Sequence, residues 1–226
     1  MKLRGAPTLH VVGDSHVRTF MYIRKKQLLK RTRIRFCMVV GATAMGVINP
    51  NSKTQAGSTF TDYLQKVPRD QPVITMLGEV DCGFIIWHRS QNMGESVGDQ
   101  IKKSIAGYRI FLKKIKEMGF KRIMVSSAPL PTVRDYQDGY DIRNLRGEVT
   151  ATLAERMELT LKFNRKMKAI CERDRLTYLD LATPILDVKR NEVKKEYLHP
   201  EKVDHHLYPP AFSKVVLKEL EKLGYH

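Results

Sequence analysis

The sequence predicts an α/β fold, a three-layer αβα sandwich in which helices cover both faces of a five-stranded parallel sheet. Short apolar runs of strand length alternate with longer segments whose apolar residues recur every three or four positions. This alternation is typical of parallel sheets, whose crossover connections are helices. The 226 residues contain no Pro/Gly/Ser-rich linker and no internal repeat, so we expect a single domain over 1–226.

Five apolar runs are the predicted strands. They are LHVV (9–12), IRFCMVV (34–40), PVITML (72–77), RIMVSS (122–127) and LTYLDL (176–181). Every candidate functional loop follows one of these strands rather than preceding it. In open parallel sheets the ligand lies at the carboxyl ends of the strands, so we expect an all-parallel sheet of order 2-1-3-4-5.

The segments between and after the strands carry helical periodicity. A first helix is expected near Val17, with Ser15 as a candidate N-cap. A second helix ends near Gly119, and its apolar stripe consists of Ile101, Ile105, Tyr108, Leu112 and Ile115. A third helix extends from about residue 150 to 173 and places the polar Asn164 near its apolar face. The last helix follows Pro209 and Pro210, because proline suits a first helical turn.

The chain is strongly basic, with a net charge of +16. No acidic residue lies between Asp14 and Asp62, whereas nine Lys or Arg do, most densely in RKKQLLKRTRIR (24–35). Such a field attracts polyanions such as an acidic polysaccharide, a nucleic acid or an anionic membrane surface, although a solvated helix face explains the same charges equally well. Nucleic acid is not favoured, because no zinc finger, RNP-like strand or helix-turn-helix pattern is present.

The cysteines and the apolar segments indicate the cellular compartment in which the protein is expected. Cys37, Cys82 and Cys171 lie far apart and lack both the CxxC spacing of a zinc site and the density of a disulfide scaffold. The sequence shows no apolar stretch of signal-peptide or membrane-span length. We therefore expect a cytoplasmic protein in a reducing compartment.

The predicted strand ends carry small or polar residues. Gly-Asp-Ser (13–15) follows the first strand, Gly41 the second, and Gly-Glu-Val-Asp (78–81) the third. In a right-handed parallel sheet these ends share one rim, so Ser15, Gly41, Gly78 and Asp81 should lie together.

A serine hydroxyl becomes a nucleophile when a histidine, itself oriented by a carboxylate, accepts its proton. Such a group stands just before the last helix, where Asp204, His205 and His206 are consecutive. A loop at this point returns to the same rim as Ser15. The same residues could instead be metal ligands or a satisfied polar loop.

Together these blocks resemble the SGNH (GDSL-like) hydrolase family, and the resemblance extends over most of the chain. Residues 13–15 resemble the first sequence block of this family, Gly41 the second, 78–81 the third and 204–207 the last. Two weaker similarities are KFNRKM, which resembles the family's helix with an inward Asn, and LTYLDLATPILD, which resembles its fifth strand and the following turn. The resemblance implies a flavodoxin-like sheet and a Ser15 nucleophile. It also implies an oxyanion hole formed by the Ser15 and Gly41 amides, and no metal or organic cofactor.

The expected base is His206, oriented by Asp204, with His205 and Glu201 as alternates. Asp14, Gly78, Glu79 and Asp81 are expected to support the site, and a solvated loop explains Glu79 equally well.

The sequence departs from the family pattern at two positions. Val80 stands where the family usually has an Asn whose side chain donates to the oxyanion, and valine cannot donate. The last block of the family is usually Asp-x-x-His, whereas Asp204 precedes His206 by two residues. Either the backbone amides suffice at the first position, or another group substitutes, or activity is low.

The resemblance implies a serine esterase that works through an acyl-enzyme and acts on an acyl ester, with O-acetyl preferred. The basic stretch favours a carbohydrate or other acidic polymer as substrate, with Arg18 and Arg24 as candidate anion contacts. The alternatives are an O-acyltransferase and a catalytically weak or inactive protein that binds a glycan or nucleic acid. A dinucleotide-binding protein is less well supported, because the Gly-Asp-Ser-His turn lacks further glycines.

Overall fold

The computed structural model describes residues 6–135, 149–201 and 204–226. Its main sheet has five parallel strands in the order β2-β1-β3-β4-β5, which confirms the predicted topology. The strands are β1 (Thr8–Gly13), β2 (Arg33–Met38), β3 (Val73–Met76), β4 (Ile123–Ser126) and β5 (Thr177–Leu179). A short antiparallel pair, β6 (Leu186–Asp187) and β7 (Glu192–Val193), follows β5.

Six α-helices lie in the described residues. They are α1 (Arg18–Lys25), α2 (Ala56–Gln65), α3 (Ile86–Met93), α4 (Val97–Glu117), α5 (Leu153–Asp174) and α6 (Pro209–Glu221). A π-helical turn, Asp81–Ile85, leads into α3, and 3-10 turns occupy Ser15–Val17, Gly46–Ile48, Thr183–Ile185 and Lys195–Tyr197.

The alternation of side chains along β1 builds the two cores. Leu9 and Val11 pack in a buried cluster with α1 and α6, whereas Val12 packs in a second cluster with α2, α4 and α5. Because successive strand residues point to opposite faces, one apolar strand supports both helical layers. The predicted three-layer sandwich is confirmed.

The second strand ends earlier than predicted, at Met38 rather than residue 40. The Ala42 amide donates to the Val39 carbonyl at 3.1 Å, which closes a turn. Gly41 is the third residue of this turn and has φ of +74°, a conformation that favours glycine. The turn therefore places Gly41 directly after β2.

Two local expectations are wrong. Asp14, not Ser15, caps the first helical turn, because its Oδ1 accepts from the His16 amide at 2.9 Å. The acidic segment after β3 is helical rather than a loop, and Asp81 begins its π-helical turn.

The inward Asn164 of α5 has a clear structural role. Its Oδ1 accepts from the Ala128 amide at 2.8 Å, and its Nδ2 donates to the Ala128 carbonyl at 3.0 Å. Both backbone polar groups of Ala128, just after β4, are thereby satisfied inside the core. Asn164 thus fixes the course of the chain where β4 leaves the sheet.

The helices of residues 6–135, 149–201 and 204–226 lack the length and apolar composition that a membrane span needs. Each of them is too short or too polar to cross a bilayer.

Candidate active site

Ser15 lies where β1 leaves the centre of the sheet. The strand ends at Gly13, and Ser15 opens the 3-10 turn that leads into α1. Its side chain is largely buried, with 5% of the residue exposed. The topology therefore places the hydroxyl at the carboxyl edge of the sheet, as predicted.

A chain of two hydrogen bonds joins Ser15 to a carboxylate. His206 Nδ1 lies 2.6 Å from Asp204 Oδ1, and His206 Nε2 lies 2.8 Å from Ser15 Oγ. The carboxylate accepts only, so the ring proton is assigned to Nδ1 and the lone pair to Nε2. Ser15 Oγ–H accordingly donates to His206, which is the hydrogen bond that serine activation requires.

The Asp-x-His spacing of the last block is compatible with this geometry. Asp204 Oδ1 accepts from both the ring and the backbone amide of His206, the latter at 2.9 Å. One carboxylate oxygen therefore fixes the peptide and the imidazole together. The hydroxyl of Thr132, after β4, donates to the His205 carbonyl at 2.6 Å and ties this segment to the rim.

The environment keeps His206 neutral at ordinary pH. Burial, followed by the nearby His16, lowers the pKa of His206 to about 4, although the hydrogen bond to Asp204 opposes the shift. Burial alone would raise the pKa of Asp204, but the hydrogen bonds from His206 hold it below its usual range. A neutral imidazole next to an ionised carboxylate can accept a proton.

The two alternates to this pair occupy other positions. The ring that meets the Ser15 hydroxyl belongs to His206, and the partly exposed His205 ring lies beside it at a centroid distance of 4.0 Å. Glu201 is exposed, and its backbone carbonyl accepts from the Asp204 amide at 3.0 Å.

Asp81 connects the third strand end to the loop after Gly41. Its two carboxylate oxygens accept from the Ala44 amide at 2.7 Å and the Met45 amide at 3.1 Å. The side chain is fully buried, and burial raises the pKa of Asp81 to about 6 despite these hydrogen bonds. Asp81 thus braces the loop that carries the candidate oxyanion donor Gly41.

Gly78 and Glu79 differ in what they contact. Gly78 has φ of +113°, and a Cβ at this position would lie 2.5 Å from Cε1 of Phe163, so the residue serves close packing against α5. Glu79 is buried rather than solvated, and its Oε2 lies 3.9 Å from His16 Nδ1. Val80, between Glu79 and Asp81, is also buried and offers no polar side-chain atom.

His16 is a site residue that the sequence analysis passed over. Its Nδ1 lies 3.0 Å from Asp14 Oδ1, and its ring centroid is 4.8 Å from that of His206. The Asp14 carboxylate binds the amide and ring of His16 just as the Asp204 carboxylate binds those of His206. The repeated Asp-x-His pattern at 14–16 and 204–206 is the sequence signal that would have identified it.

A small cavity of about 30 Å³ lies on the Asp204 side of His206, with Arg18, His199 and Phe212 in its lining. The Arg18 guanidinium is 3.5 Å from His206 Nδ1, and His199 Nε2 is 3.9 Å from Asp204 Oδ2. A cavity of this volume holds about one water molecule.

The sequence by itself matches no protein-family model and no curated protein. The structure, in contrast, is similar to many solved structures. One is a catalytic mutant of an acetylxylan esterase from Geobacillus stearothermophilus, with 12% identity, a TM-score of 0.57 and coverage of 100% of this chain and 98% of that one.

A member of the lipolytic G-D-S-L family from Veillonella parvula has 14% identity, a TM-score of 0.55 and coverage of 96% and 97%. A GDSL-like lipase from Bacteroides thetaiotaomicron has 11% identity, a TM-score of 0.57 and coverage of 96% and 89%. Over nearly its whole length, this chain has the α/β fold of the SGNH (GDSL-like) hydrolases.

Proposed function

We propose that this protein is a serine carboxylic ester hydrolase of the SGNH type. The observation that carries the proposal is the hydrogen-bonded series Ser15 Oγ, His206 and Asp204, with distances of 2.8 and 2.6 Å, at the carboxyl edge of a parallel sheet. The fold shared with lipolytic proteins and acetylxylan esterases supports the same reaction class.

In this mechanism the protons and bonds balance within the triad. His206 Nε2 takes the proton of Ser15 as Oγ attacks the ester carbonyl, and Asp204 stabilises the imidazolium that forms. His206 then protonates the departing alkoxide, which leaves an acyl group on Ser15. Water, deprotonated by the same ring, attacks the acyl-enzyme, and the ring returns this proton to Ser15 Oγ as the acyl–oxygen bond breaks and the acid leaves.

The tetrahedral oxyanion needs donors, for which we propose the backbone amides of Ser15 and Gly41. Asp81 supports this arrangement through the Ala44 and Met45 amides, since these lie on the segment that begins at Gly41. Val80 adds no donor. Losing one oxyanion donor lowers kcat by roughly 10² to 10³, so we expect a slow enzyme by the standard of the reaction class.

For the substrate we propose an O-acetyl ester on a carbohydrate or another acidic polymer. Exposed basic side chains extend from Arg18, next to His206, along α1 to Arg24 and Lys25 and on to β2. A positive surface of this kind attracts an anionic chain and raises its local concentration. The acetylxylan esterase among the similar structures acts on an acetylated glycan, as its name states.

Val80 favours a second candidate function. A protein without the third oxyanion donor, but with an extended basic face, could bind a glycan or nucleic acid without cutting it. An O-acyltransferase is a further variant of the same chemistry, in which a sugar hydroxyl rather than water attacks the acyl-enzyme.

Labelling with a fluorophosphonate probe separates these functions. We expect the wild-type protein to be labelled on Ser15, and we expect Ser15→Ala and His206→Ala to lose the label. Hydrolysis of an aryl acetate should be lost in the same two variants. A folded wild-type protein that takes no label and hydrolyses no aryl ester would be a binding protein instead.

A further inference from the structure

Three imidazole rings meet next to Ser15, although the proposed hydrolysis uses one of them. The ring of His206 lies 4.8 Å from that of His16 and 4.0 Å from that of His205, measured between centroids. One ring nitrogen from each of the three residues lies within 4.8 Å of the other two. We call His16, His205 and His206 the histidine cluster.

Two rings of the cluster are oriented by carboxylates. The Nδ1 atoms of His16 and His206 lie 3.0 and 2.6 Å from the carboxylates of Asp14 and Asp204. These contacts assign the ring protons to Nδ1, so a metal would be ligated through Nε2 of each of these two rings. Histidine ligands of metals are typically held in this way, with the second ring nitrogen donating to a carboxylate.

We propose that the histidine cluster binds Zn²⁺, and that the bound ion reversibly blocks the nucleophile. The second half rests on the proposed esterase function, whereas the first half does not. Imidazole nitrogens suit Zn²⁺, while Mg²⁺ and Ca²⁺ prefer oxygen ligands. Three histidines supply three of four tetrahedral positions, and water or Ser15 Oγ can fill the fourth.

The geometry requires a small adjustment on binding. Zn–N bonds of about 2.0–2.1 Å in a tetrahedron place nitrogens roughly 3.3 Å apart, so the ring nitrogens, now within 4.8 Å of one another, must close by at most about 1.5 Å. His16 and His206 are buried and braced, whereas His205 is only partly buried. We therefore expect the His205 ring to make the movement.

The surrounding charges favour a cation. Asp14, Asp204 and Glu79 provide three carboxylates near the rings, with Glu79 Oε2 3.9 Å from His16 Nδ1. Arg18 opposes them, since its guanidinium is 3.5 Å from His206 Nδ1.

The bound ion would inhibit ester hydrolysis by coordinating one nitrogen atom of the proposed catalytic base. Zn²⁺ would coordinate the Nε2 lone pair of His206, which is the acceptor for the Ser15 proton in the proposed mechanism. While the metal is bound, Ser15 has no base.

Calorimetric titration of ZnCl₂ tests the site without depending on activity. We expect one ion per chain in both wild type and Ser15→Ala. We expect His205→Gln to weaken the apparent Kd by about tenfold or more, and the exposed terminal His226→Gln to leave it unchanged. Titration with MgCl₂ should show no binding. Absence of one-to-one binding in Ser15→Ala, or equal affinity in His205→Gln and His226→Gln, would overturn the proposed site.

Kinetics with an aryl acetate tests the inhibition. We expect Zn²⁺ to stop hydrolysis by the wild-type protein, a chelator to restore it, and Mg²⁺ to have no effect. For His205→Gln, half-inhibition relative to its own metal-free rate should need about tenfold more Zn²⁺. One-to-one binding that leaves hydrolysis unchanged disproves the inhibition. A wild-type protein without any esterase activity disproves the proposed function, while calorimetry still decides the metal site.

Discussion

At the scale of single residues, burial of His206 sets the pH range in which Ser15 can be activated. The ring acts as a base only when neutral, and burial lowers its pKa from 6.5 to about 4. Activity should therefore be present above this pKa and be lost as pH falls through it. We expect the acidic limb of kcat/KM for a neutral aryl acetate to lie near pH 4, in chelator-treated buffer.

The variant His16→Gln provides the control for this pH profile. The positive charge that His16 can carry is the second cause of the lowered pKa of His206. Removing it should raise the pKa of His206, so the acidic limb should move to higher pH. A wild-type limb near the ordinary histidine value of about 6.5 would mean that His206 is not the base or is not desolvated.

Val80 is the residue whose replacement should increase activity. The variant Val80→Asn supplies the amide donor that the third block of the SGNH pattern usually carries. Because one oxyanion donor is worth roughly 10² to 10³ in kcat, even imperfect placement should raise kcat by about tenfold. The comparison is the rate of aryl acetate hydrolysis, with Val80→Ala as the control that opens space without a donor. An equal rate in the two variants would show that the backbone amides already suffice.

At the scale of elements, the π-helical turn before α3 and the loop after β2 act as one unit through Asp81. In Asp81→Asn, only one side-chain oxygen remains to accept a hydrogen bond. The new NH₂ group is a donor that faces another donor, the N–H of Ala44 or Met45. The loop that carries Gly41 should lose its alignment, and we expect kcat to fall about tenfold with little change in KM, equivalent to about 1.4 kcal/mol of transition-state stabilisation. Asp99→Asn, exposed at the start of α4, is the control.

The stability of the same variant provides a readout that does not depend on catalysis. Because the folded-state pKa of Asp81 is raised to about 6 from 3.8, the folded chain holds this proton more tightly than the unfolded chain. Deprotonation between about pH 4 and 6 therefore lowers the free energy of unfolding. The stability of Asp81→Asn relative to wild type should rise across this range in urea titrations. A constant difference would contradict the buried, raised pKa.

At the scale of the whole molecule, the net charge of +16 should strengthen the binding of an anionic substrate without changing the rate of the chemical step. Hydrolysis of a neutral aryl acetate should be insensitive to salt, because no long-range attraction is involved. For an acetylated polyanion, KM should rise as the Debye length shortens from about 10 Å at 0.1 M to 3 Å at 1 M salt. Steady-state kinetics of both substrates at increasing NaCl concentrations gives the measurement.

Charge-reversal variants locate the effect on the surface. Arg24→Glu and Lys25→Glu, exposed on α1, should raise KM for the polyanion and leave the aryl acetate unaffected. Lys121→Glu, exposed just before β4 and outside the stretch between Asp14 and Asp62, carries the same charge change and should have little effect. Equal effects of all three substitutions would assign the attraction to net charge alone.

The sequence determined the sheet and the chemical identity of the proposed triad. Strands such as β1 can be found from sequence because burial on two faces selects consecutive apolar residues, and the order of the sheet follows from right-handed connections. The need of a serine for a base, together with the family resemblance, singled out Asp204 and His206. Each of these inferences depends on local composition or on general chemistry.

Only the tertiary structure decided how distant residues meet. Ser15 and His206 are separated by 191 positions, and no local pattern reports a distance of 2.8 Å between them. The same holds for Asp81 with Ala44, and for His16 with His205 and His206. Such contacts are set by the packing of helices on both faces of the sheet, which fixes where each loop returns to the rim.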